Sequence, residues 1–455
     1  MINDPLITVY IVNRNYGKYL DNAFKSVLNQ TFKSLEIIII DDASNDKSIN
    51  IIKKYESKSL CRAIYNKSAK GLIKSSNIAI KAAKGEFVIR LDADDYLDKN
   101  ALTIFYNEIK KDKNIALVYS DYYLVDEKKN ILYLEKQIKR SKSSLDDKPV
   151  LAACCLIRKN SIFSVNLYDE RFNRQDGYDL WYKLLQNYKL KHVALPLFFY
   201  RRHRNNLTKN QNRLFKTRTK ILRKFSEKKN KIKNLHIDCV IPVRGPGVNK
   251  LCNSLEKINN KPLIFYTIDE ALKIKEFRKI ILTTADTKLI RLVKKKYKNK
   301  ILYHKRSISL SEQNIDFKKA VINAINKFEK KNIDIIVIMT YENPLRKSFY
   351  VQQAMSNLII HHSDRVIGTV PDIDNNYYQY SDKGLKLISN EKGDKLRLEK
   401  NLILKEVGAF TVYKYKSYLR SNIYKTTNIV LDEKDSININ NKKDLKFARD
   451  IMWEF

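Results

Sequence analysis

The sequence predicts an α/β protein with two α/β domains in tandem, joined by a basic helical linker. Buried-strand and amphipathic-helix patterns alternate from residue 7 onward, and a second alternation starts afresh at residue 237. A stretch rich in Lys and Arg lies between them. Because 455 residues exceed one ordinary core, we expect domains at 1–208 and 235–455, with the linker helix at 209–234.

The first domain is predicted to begin with parallel βαβ units. Strand patterns at residues 7–12 and 35–40 are each followed by a helical pattern, at 19–28 and 49–55. Strand–helix alternation of this kind implies right-handed parallel crossovers. Ser44 or Asp46 is placed to cap the second helix, and Gly85 to end a third helix that covers residues 75–83.

Three carboxylates follow the next apolar run. Residues 88–91 lead into Asp92, Asp94 and Asp95. In an open α/β sheet, ligands bind at the carboxyl edge where such a strand ends. Carboxylates this close repel one another unless a cation or hydrogen-bond donors lie among them, and a divalent ion that also binds phosphates is the natural partner. An acidic surface turn is the alternative for an isolated Asp-x-Asp-Asp pattern.

Amino-acid composition indicates which classes of protein the chain can belong to. A hydrophobic fraction of 44% excludes a disordered chain, and a net charge of +38 predicts an anionic partner unless it reflects a Lys-rich coding bias. The five cysteines show no metal-ligand spacing and fit a reducing cytosol. Residues 1–6 do not read as a signal peptide, and no apolar run is long enough to span a bilayer. We therefore expect a cytoplasmic protein, with at most a peripheral membrane contact.

Several motifs in order give the first domain a family resemblance. Residues 9–16, 26–32, 36–46, 85–87 and 91–95, together with Gly71 and Asn77, resemble the inverting family 2 glycosyltransferases, which have the GT-A nucleotide-sugar fold. The resemblance covers residues 5 to about 208. It implies a nucleotide-sugar donor, a divalent metal and a sugar acceptor.

The resemblance also implies roles for individual residues. Asp42 would contact the donor base, and the main chain at Val12 would contact the same base. Asp92 would lie against the ribose, and Asp94 would hold Mg2+ or Mn2+ that bridges the diphosphate.

One departure from the family pattern concerns the phosphate clamp. The family often has Ala-Arg-Asn where this chain has Ser75-Ser76-Asn77. Lys70 or Lys74 is the candidate for the missing positive charge.

The acceptor side is predicted from residues 169–181, which resemble the family's acceptor motif. By position Asp176 is the general base, with Asp179 second, since the acceptor hydroxyl must lose its proton as it attacks the anomeric carbon. The alternative for such an acid is a purely structural role as a helix cap. His203, in a Tyr-Arg-x-His pattern, is a candidate metal or phosphate contact or else a structural histidine.

The basic segment at residues 205–234 has apolar residues at roughly helical spacing. A basic amphipathic helix can lie on an anionic membrane. A solvated linker helix packed between domains is the alternative and is favoured.

The second domain resembles the cytidylyltransferases that make CMP-activated nonulosonic acids such as CMP-sialic acid. The matching residues are 241–245, 261–264, 343–346, 408–410 and 444–445. Its catalytic positions differ from the family, with Val248 in place of a lysine and Asn438 and Asn440 in place of two metal-binding aspartates. We therefore expect the fold without nucleotidyl transfer. Arg244 and Arg346 are candidates for an anion site or for structural ion pairs.

These observations favour a metal-dependent inverting glycosyltransferase that moves a sugar from a nucleotide-sugar donor to a glycan or lipid-linked acceptor in cell-surface polysaccharide biosynthesis. A bifunctional enzyme with an active cytidylyltransferase domain is one alternative. A nucleic-acid-binding protein is another, although the basic residues do not interleave with aromatics in a recognisable binding motif, and no nucleic acid is expected.

Overall fold

The computed structural model consists of two compact α/β units, as the sequence predicts. The first extends to Thr217 and the second begins at Arg218. The structure describes residues 5–137, 153–172, 176–203, 206, 211–228, 234–244, 254–311, 316–328, 332–372, 378–381, 384–387, 403–420 and 424–453.

The first unit is built on one mixed sheet with helices packed against it. Its elements are β1 (Ile7–Asn13), α1 (Leu20–Leu28), β2 (Leu35–Asp41), α2 (Ser48–Glu56), β3 (Arg62–Tyr65), α3 (Leu72–Ala82), β4 (Phe87–Asp92), β5 (Tyr96–Leu97), α4 (Ala101–Lys110), β6 (Ile115–Val125), β7 (Ile131–Glu135), β8 (Leu156–Arg158), α5 (Lys159–Ser164), α6 (Asp176–Leu185) and β9 (Lys189–Arg201).

Four parallel strands at one side of this sheet confirm the predicted βαβ units. They lie in the order β3-β2-β1-β4. In the register, Val12 of β1 lies beside Asp92 of β4, and Asn13 lies beside Asp41 of β2. The strand ends that carry the acidic residues therefore meet at a single edge of the sheet.

Apolar periodicity accounts for the packing of these elements. Helix α1 buries the face that carries Leu20, Phe24 and Val27 against the sheet. Gly85 does not end α3 directly, because that helix already stops at Ala82. Instead, a Cβ at residue 85 would lie 2.6 Å from the main-chain nitrogen of Thr8, so only glycine fits where the chain enters β4.

The predicted linker contains helix α7 (Gln211–Lys228), and the division between the units falls inside it. Ile221 and Leu222 are fully buried, and Thr219 accepts a hydrogen bond of 3.0 Å from the Gln353 amide. Residues 218–228 therefore pack within the second unit. Because their apolar face is already covered, the structure favours a packed helix over one that lies on a membrane.

The second unit is also a mixed sheet between helices. Its elements are β10 (Ile237–Pro242), β11 (Lys257–Ile258), β12 (Lys261–Pro262), α8 (Leu263–Leu272), β13 (Phe277–Thr284), α9 (Thr287–Tyr297), β14 (Leu302–Lys305), α10 (Phe317–Phe328), β15 (Ile335–Met339), α11 (Ser348–Ile360), β16 (Arg365–Asp372), β17 (Tyr378–Ser381), β18 (Gly384–Leu387), β19 (Ile403–Lys414), α12 (Tyr415–Arg420), β20 (Thr426–Val430) and α13 (Lys442–Trp453).

Its seven-stranded sheet has the order β14-β13-β10-β15-β19-β16-β20. Strands β14, β13, β10 and β15 are parallel, and β19 is antiparallel to β15. Across the described ranges of both units, no helix combines the length and apolarity that a bilayer crossing requires.

Candidate functional site

Asp42 lies buried just after β2, where it organises the neighbouring loop. Its Oδ1 atom accepts hydrogen bonds from the Asn66 amide (2.8 Å), the Lys70 main chain (2.8 Å) and the Ser75 hydroxyl (3.2 Å), and its Oδ2 atom accepts one from the Gly71 main chain (2.8 Å). Asp42 is only 2% exposed. The carboxylate therefore fixes the loop that leads into α3.

The hydrogen bonds determine the charge state of Asp42. Burial alone would raise its pKa, but the N–H donors of Lys70 and Gly71, with Asn66 and Ser75, lower the pKa below its ordinary value. Asp42 is therefore ionised at neutral pH, and its Oδ2 atom has geometric capacity for a further donor.

The strand ends beside Asp42 are joined by a second set of hydrogen bonds. The Asn13 amide donates to Asp41 (3.1 Å) and to the Ser44 hydroxyl oxygen (3.1 Å), and Ser44 also accepts from the main chain of Asn15 (3.0 Å). Ser44 thus connects β1 to β2 instead of capping α2. Asp46 accepts the first helical N–H, that of Ser48, at 2.9 Å, while the cap position itself is Lys47, whose side chain makes no capping hydrogen bond.

Asp92 ends β4 at the same edge. Its carboxylate lies 2.9 Å from the guanidinium of the buried Arg90. The main-chain carbonyl of Asp92 accepts the N–H of Asp95 at 3.0 Å, which closes the turn that carries Asp94.

The structure brings Asp94 and His203 together, although 109 positions separate them in sequence. The His203 Nε2 atom lies 2.8 Å from Asp94 Oδ2, and the His203 side chain is 3% exposed. The Tyr19 ring stacks on His203 with centroids 5.1 Å apart, and the Tyr16 ring approaches edge-on at 5.7 Å. No three His, Cys, Asp or Glu side chains form a metal cluster within the described part of the chain.

Arg201 and Asp95 form a buried layer beneath Asp94 that sequence reasoning missed. The Arg201 main chain donates to the Asp95 carboxylate (2.9 Å), and its guanidinium donates to the carbonyls of Asp94 (2.8 Å) and Glu127 (3.1 Å). Burial raises the pKa of Asp95, and the charges of Asp94 and Asp92 raise it further. The sequence signal that could have indicated this layer is the position of Arg201, two residues before His203.

Tyr16 was also missed. Burial raises its pKa, and the nearby carboxylates of Asp94 and Asp92 raise it further. The phenol therefore stays neutral beside the carboxylates and keeps its proton for donation.

The two lysines predicted for the phosphate clamp are both exposed near the edge of the site. Lys70 gives its main-chain N–H to Asp42, so its position in the loop is fixed. Lys74 lies in the first turn of α3.

The acceptor-side acids lie on α6. Asp176 is the first residue of that helix, and its side chain falls outside the described part of the structure. Asp179 is 1% exposed and pairs with Lys183 one turn later, with an N–O distance of 2.9 Å.

The second unit places its predicted residues differently. Arg346 is buried, and its guanidinium donates to the main-chain carbonyls of Thr340 (3.0 Å) and Ala409 (2.6 Å), while burial lowers its pKa to about 10. Arg244 is exposed just after β10, near enough to Arg306 that its charge adds to burial in lowering the pKa of Arg306. Val248 lies outside the described residues.

The two asparagines at the predicted metal positions also lie in the second unit. Asn440 is exposed, and its main-chain N–H donates to Asp444 at 2.8 Å. The Oδ1 atom of Asn438 is buried and accepts no hydrogen bond from the described residues.

Two protein-family models match separate parts of the chain. The model of glycosyl transferase family 2 matches residues 8–172. The model of the cytidylyltransferase family matches residues 253–449.

Three curated relatives are glycosyltransferases or a polysaccharide synthase. An uncharacterised glycosyltransferase of Methanocaldococcus jannaschii is 32% identical over 214 residues, which is 44% of this chain and 72% of the relative. One of Rickettsia typhi is 34% identical over 191 residues, 40% of this chain and 59% of the relative. The chondroitin synthase of Pasteurella multocida is 28% identical over 198 residues, 42% of this chain and 20% of that protein. The chain thus spans 59% and 20% of the length of the last two.

A solved mannosyltransferase from Pyrobaculum calidifontis, in complex with GDP-Man and Mn2+, aligns with a TM-score of 0.41 and 14% identity. The alignment covers 49% of this chain and 64% of that one.

Proposed function

The chain belongs to the family 2 glycosyltransferases, and we propose that its first unit moves a sugar, with inversion, from a nucleotide-sugar donor to a glycan or lipid-linked acceptor. The observation that carries this proposal is the register of β1, β2 and β4, which gathers Asp41, Asp42 and Asp92 at one sheet edge with Asp94 in the next turn. Acids at the carboxyl edge of a parallel sheet form the expected crevice for a nucleotide with a bound cation.

The donor base is proposed to lie between the Val12 main chain and Asp42. The Oδ2 atom of Asp42 accepts one hydrogen bond from the protein, from Gly71, and can accept one N–H from the base. Asp92 would take the ribose hydroxyls, and Lys70 or Lys74 would approach the phosphates from the exposed rim. Because Asp42 is held by four donors, its position does not depend on the ligand.

The metal is proposed to be held by Asp94 and His203. The His203 Nε2 atom and Asp94 Oδ2 lie 2.8 Å apart, so both side chains would reach the same ion. The donor diphosphate and water would complete the coordination, which suits Mg2+ or Mn2+. An ion held there would supply Lewis-acid stabilisation of the charge on the departing diphosphate.

Asp176 is proposed as the general base, with Asp179 in a supporting role. The first residue of a helix lies at the positive end of the helix dipole, which stabilises a carboxylate. From there Asp176 would take the acceptor hydroxyl's proton as that oxygen attacks the anomeric carbon. Asp179 is buried against Lys183, so it would orient the helix instead of touching the acceptor.

The acceptor is proposed to be a growing cell-surface polysaccharide or its lipid-linked precursor. The similarity to a chondroitin synthase supports a glycan acceptor. A lipid-linked acceptor would bring the enzyme to the inner face of the membrane as a peripheral protein.

The second unit is proposed to keep the cytidylyltransferase fold without nucleotidyl transfer. Asn438 and Asn440 offer neutral amides where two Mg2+ carboxylates are needed, and Val248 cannot neutralise a triphosphate. The second unit would still be able to bind a nucleotide or sugar near Arg244, or to contact a partner.

Two parallel incubations of the full chain test the two units. The full chain is incubated with UDP-, GDP-, dTDP- and CMP-sugars, with Mn2+ or with EDTA, and nucleotide release is measured. We expect one donor to be hydrolysed only with metal, and release from none of them would overturn the proposal. A parallel incubation with CTP, Mg2+ and a nonulosonic acid tests the bifunctional alternative, which pyrophosphate release would support.

A further inference from the structure

The segment before α6 is held by Asn77, a buried residue of α3 that is 4% exposed. The Asn77 Oδ1 atom accepts the Tyr168 main-chain N–H at 3.1 Å, and its Nδ2 atom donates to the Tyr168 carbonyl at 3.0 Å. The same Nδ2 atom donates to the Glu170 carboxylate at 3.0 Å. The side-chain amide therefore pairs with the main chain of Tyr168 as a neighbouring β-strand would.

The turn that precedes Tyr168 needs such support. Asn166 and Leu167 have φ angles of +59° and +55°. Asparagine tolerates this left-handed region, but a branched side chain such as leucine seldom adopts it. Contacts from outside the turn must therefore hold it in place, and Asn77 supplies them at the next residue.

Helix α6 is attached to the same turn from the other side. The Lys183 ammonium donates to the main-chain carbonyl of Leu167 and pairs with the buried Asp179. Asp176 starts this helix two turns before Lys183. A continuous set of contacts thus runs from α3 through the turn to α6.

The donor side is connected to the same helix. Ser75 donates to Asp42 from a position two residues before Asn77. Residues two apart on a helix point about 200° away from each other. Helix α3 therefore holds the proposed base-binding acid with one face and the acceptor-side turn with the other.

We propose that Asn77 is a positioning residue for the acceptor side: it fixes the turn at residues 166–170 and, through Lys183, fixes α6 and the proposed base at its start. The proposal rests on the proposed function, because the role of Asp176 belongs to that function. Nothing in it requires Asn77 to touch either substrate.

The test is Asn77→Ala in the full chain, with donor and acceptor kinetics measured separately. We expect kcat to fall about 100-fold, since small misplacements of a reacting group have effects of that size, while donor KM stays within about two-fold. Hydrogen exchange at residues 166–185 is expected to quicken without any substrate present. Lys183→Met is expected to give the same kinetic pattern together with a lower melting temperature, because it also leaves the buried Asp179 carboxylate without its cation. The kcat of the double variant is expected to be no lower than that of either single variant.

Two further variants separate positioning from loss of stability. Asn77→Asp keeps the acceptor for the Tyr168 N–H but places a carboxylate oxygen against Glu170 and the Tyr168 carbonyl, so we expect it to lose at least as much activity as Asn77→Ala. Thr8→Val removes a buried hydroxyl that bonds Glu36 and Gly85 at the opposite edge of the sheet. We expect it to lower the melting temperature but to leave kcat within about two-fold.

The inference is overturned if Asn77→Ala behaves like Thr8→Val in kinetics, or if exchange at residues 166–185 does not change. If the wild-type protein transfers sugar from none of the donors, the proposed function fails instead, and the exchange measurement alone decides whether Asn77 holds the turn.

Discussion

The carboxyl edges of the two sheets differ in charge. In the first unit, the strand ends carry Asp41, Asp42 and Asp92, and Asp94 follows in the next turn. In the second unit, β13 and β15 run into hydroxyls, at Thr283, Thr284 and Thr340. Two acids follow within two residues, but Asp286 caps α9 and burial raises the pKa of Glu342. Arg244 and Arg306 lie near the same edge.

This difference shows that the sheet and its edge are under separate constraints. Strands β1 and β10 both bury nearly every residue, although the charges beyond the ends of the two sheets differ. We propose that the first edge holds a cation together with an anionic donor, whereas the two acids described at the second edge are a helix cap, Asp286, and a largely buried side chain, Glu342. We therefore expect activity to follow the edge residues and not the fold that carries them.

The largest expected effect comes from Asp94→Asn. This change removes the proposed metal carboxylate without changing its shape, so we expect turnover to fall about 1,000-fold or more and Mn2+ affinity to be lost. Steady-state kinetics and Mn2+ titration by electron paramagnetic resonance measure both. Asp112→Asn, at an exposed acid that pairs with Lys189, is the control. Full activity in the Asp94 variant would refute the assignment.

Asp42→Ala is expected to act on stability and donor affinity together. It leaves the N–H groups of Lys70 and Gly71 and the side chains of Asn66 and Ser75 without their acceptor, which costs about 3 kcal/mol of unfolding free energy. Because the folded pKa of Asp42 is depressed, the wild type loses this stabilisation as pH falls through the acid range. Urea unfolding at pH 7 and pH 3.5 should show a smaller difference between variant and wild type at the lower pH.

Replacing Asn438 and Asn440 together by Asp asks whether the second edge can be made acidic. A carboxylate at Asn438, whose Oδ1 atom is buried, is unfavourable without a cation, so we expect the variant to lose about 2 kcal/mol of unfolding free energy in EDTA and to recover it with Mn2+. Melting curves under both conditions measure this. If Mn2+ does not change the melting temperature of the variant, the difference in cation binding between the two sheet edges depends on more than these two residues.

The smallest expected effect is the pH response of Asp435. Burial raises its pKa to about 6, and the Tyr350 hydroxyl donates to it at 3.1 Å. Because the pKa of Asp435 is higher in the folded protein than in the unfolded chain, the protonated carboxyl favours folding. This contribution to the unfolding free energy is complete below the unfolded pKa, near 4, and is lost as pH rises to 6. Asp435→Asn is therefore expected to stabilise the protein by about 1 kcal/mol at pH 8 and to change little at pH 4, as thermal unfolding can show. Equal effects at both pH values would contradict the assignment.

The parallel strands and their acidic ends could be predicted because each depends on neighbouring residues. An apolar run followed by Asp is visible along a few positions, and parallel crossovers bring such ends together. The predicted bounds are close to those observed, although α3 begins at Leu72 instead of residue 75, directly after Gly71 with its φ of +85°.

Other features could not be predicted because they depend on pairs far apart in sequence. Arg201 reaches the Asp94 carbonyl across 107 positions, and Asn77 reaches Tyr168 across 91. Nothing local distinguishes either residue from an ordinary polar side chain. The four-donor environment of Asp42 is likewise set by a loop that starts 24 residues later. By contrast, the pair of Asp179 with Lys183 follows from i,i+4 spacing and could have been read.

Helix α7 limits how the protein can be shortened. Ile221 and Leu222 are buried within the second unit. A truncated protein that ends at residue 234 would therefore expose these apolar side chains to solvent and would tend to self-associate. A stop codon near residue 217 avoids that hazard and is the better choice for producing the transferase half by itself.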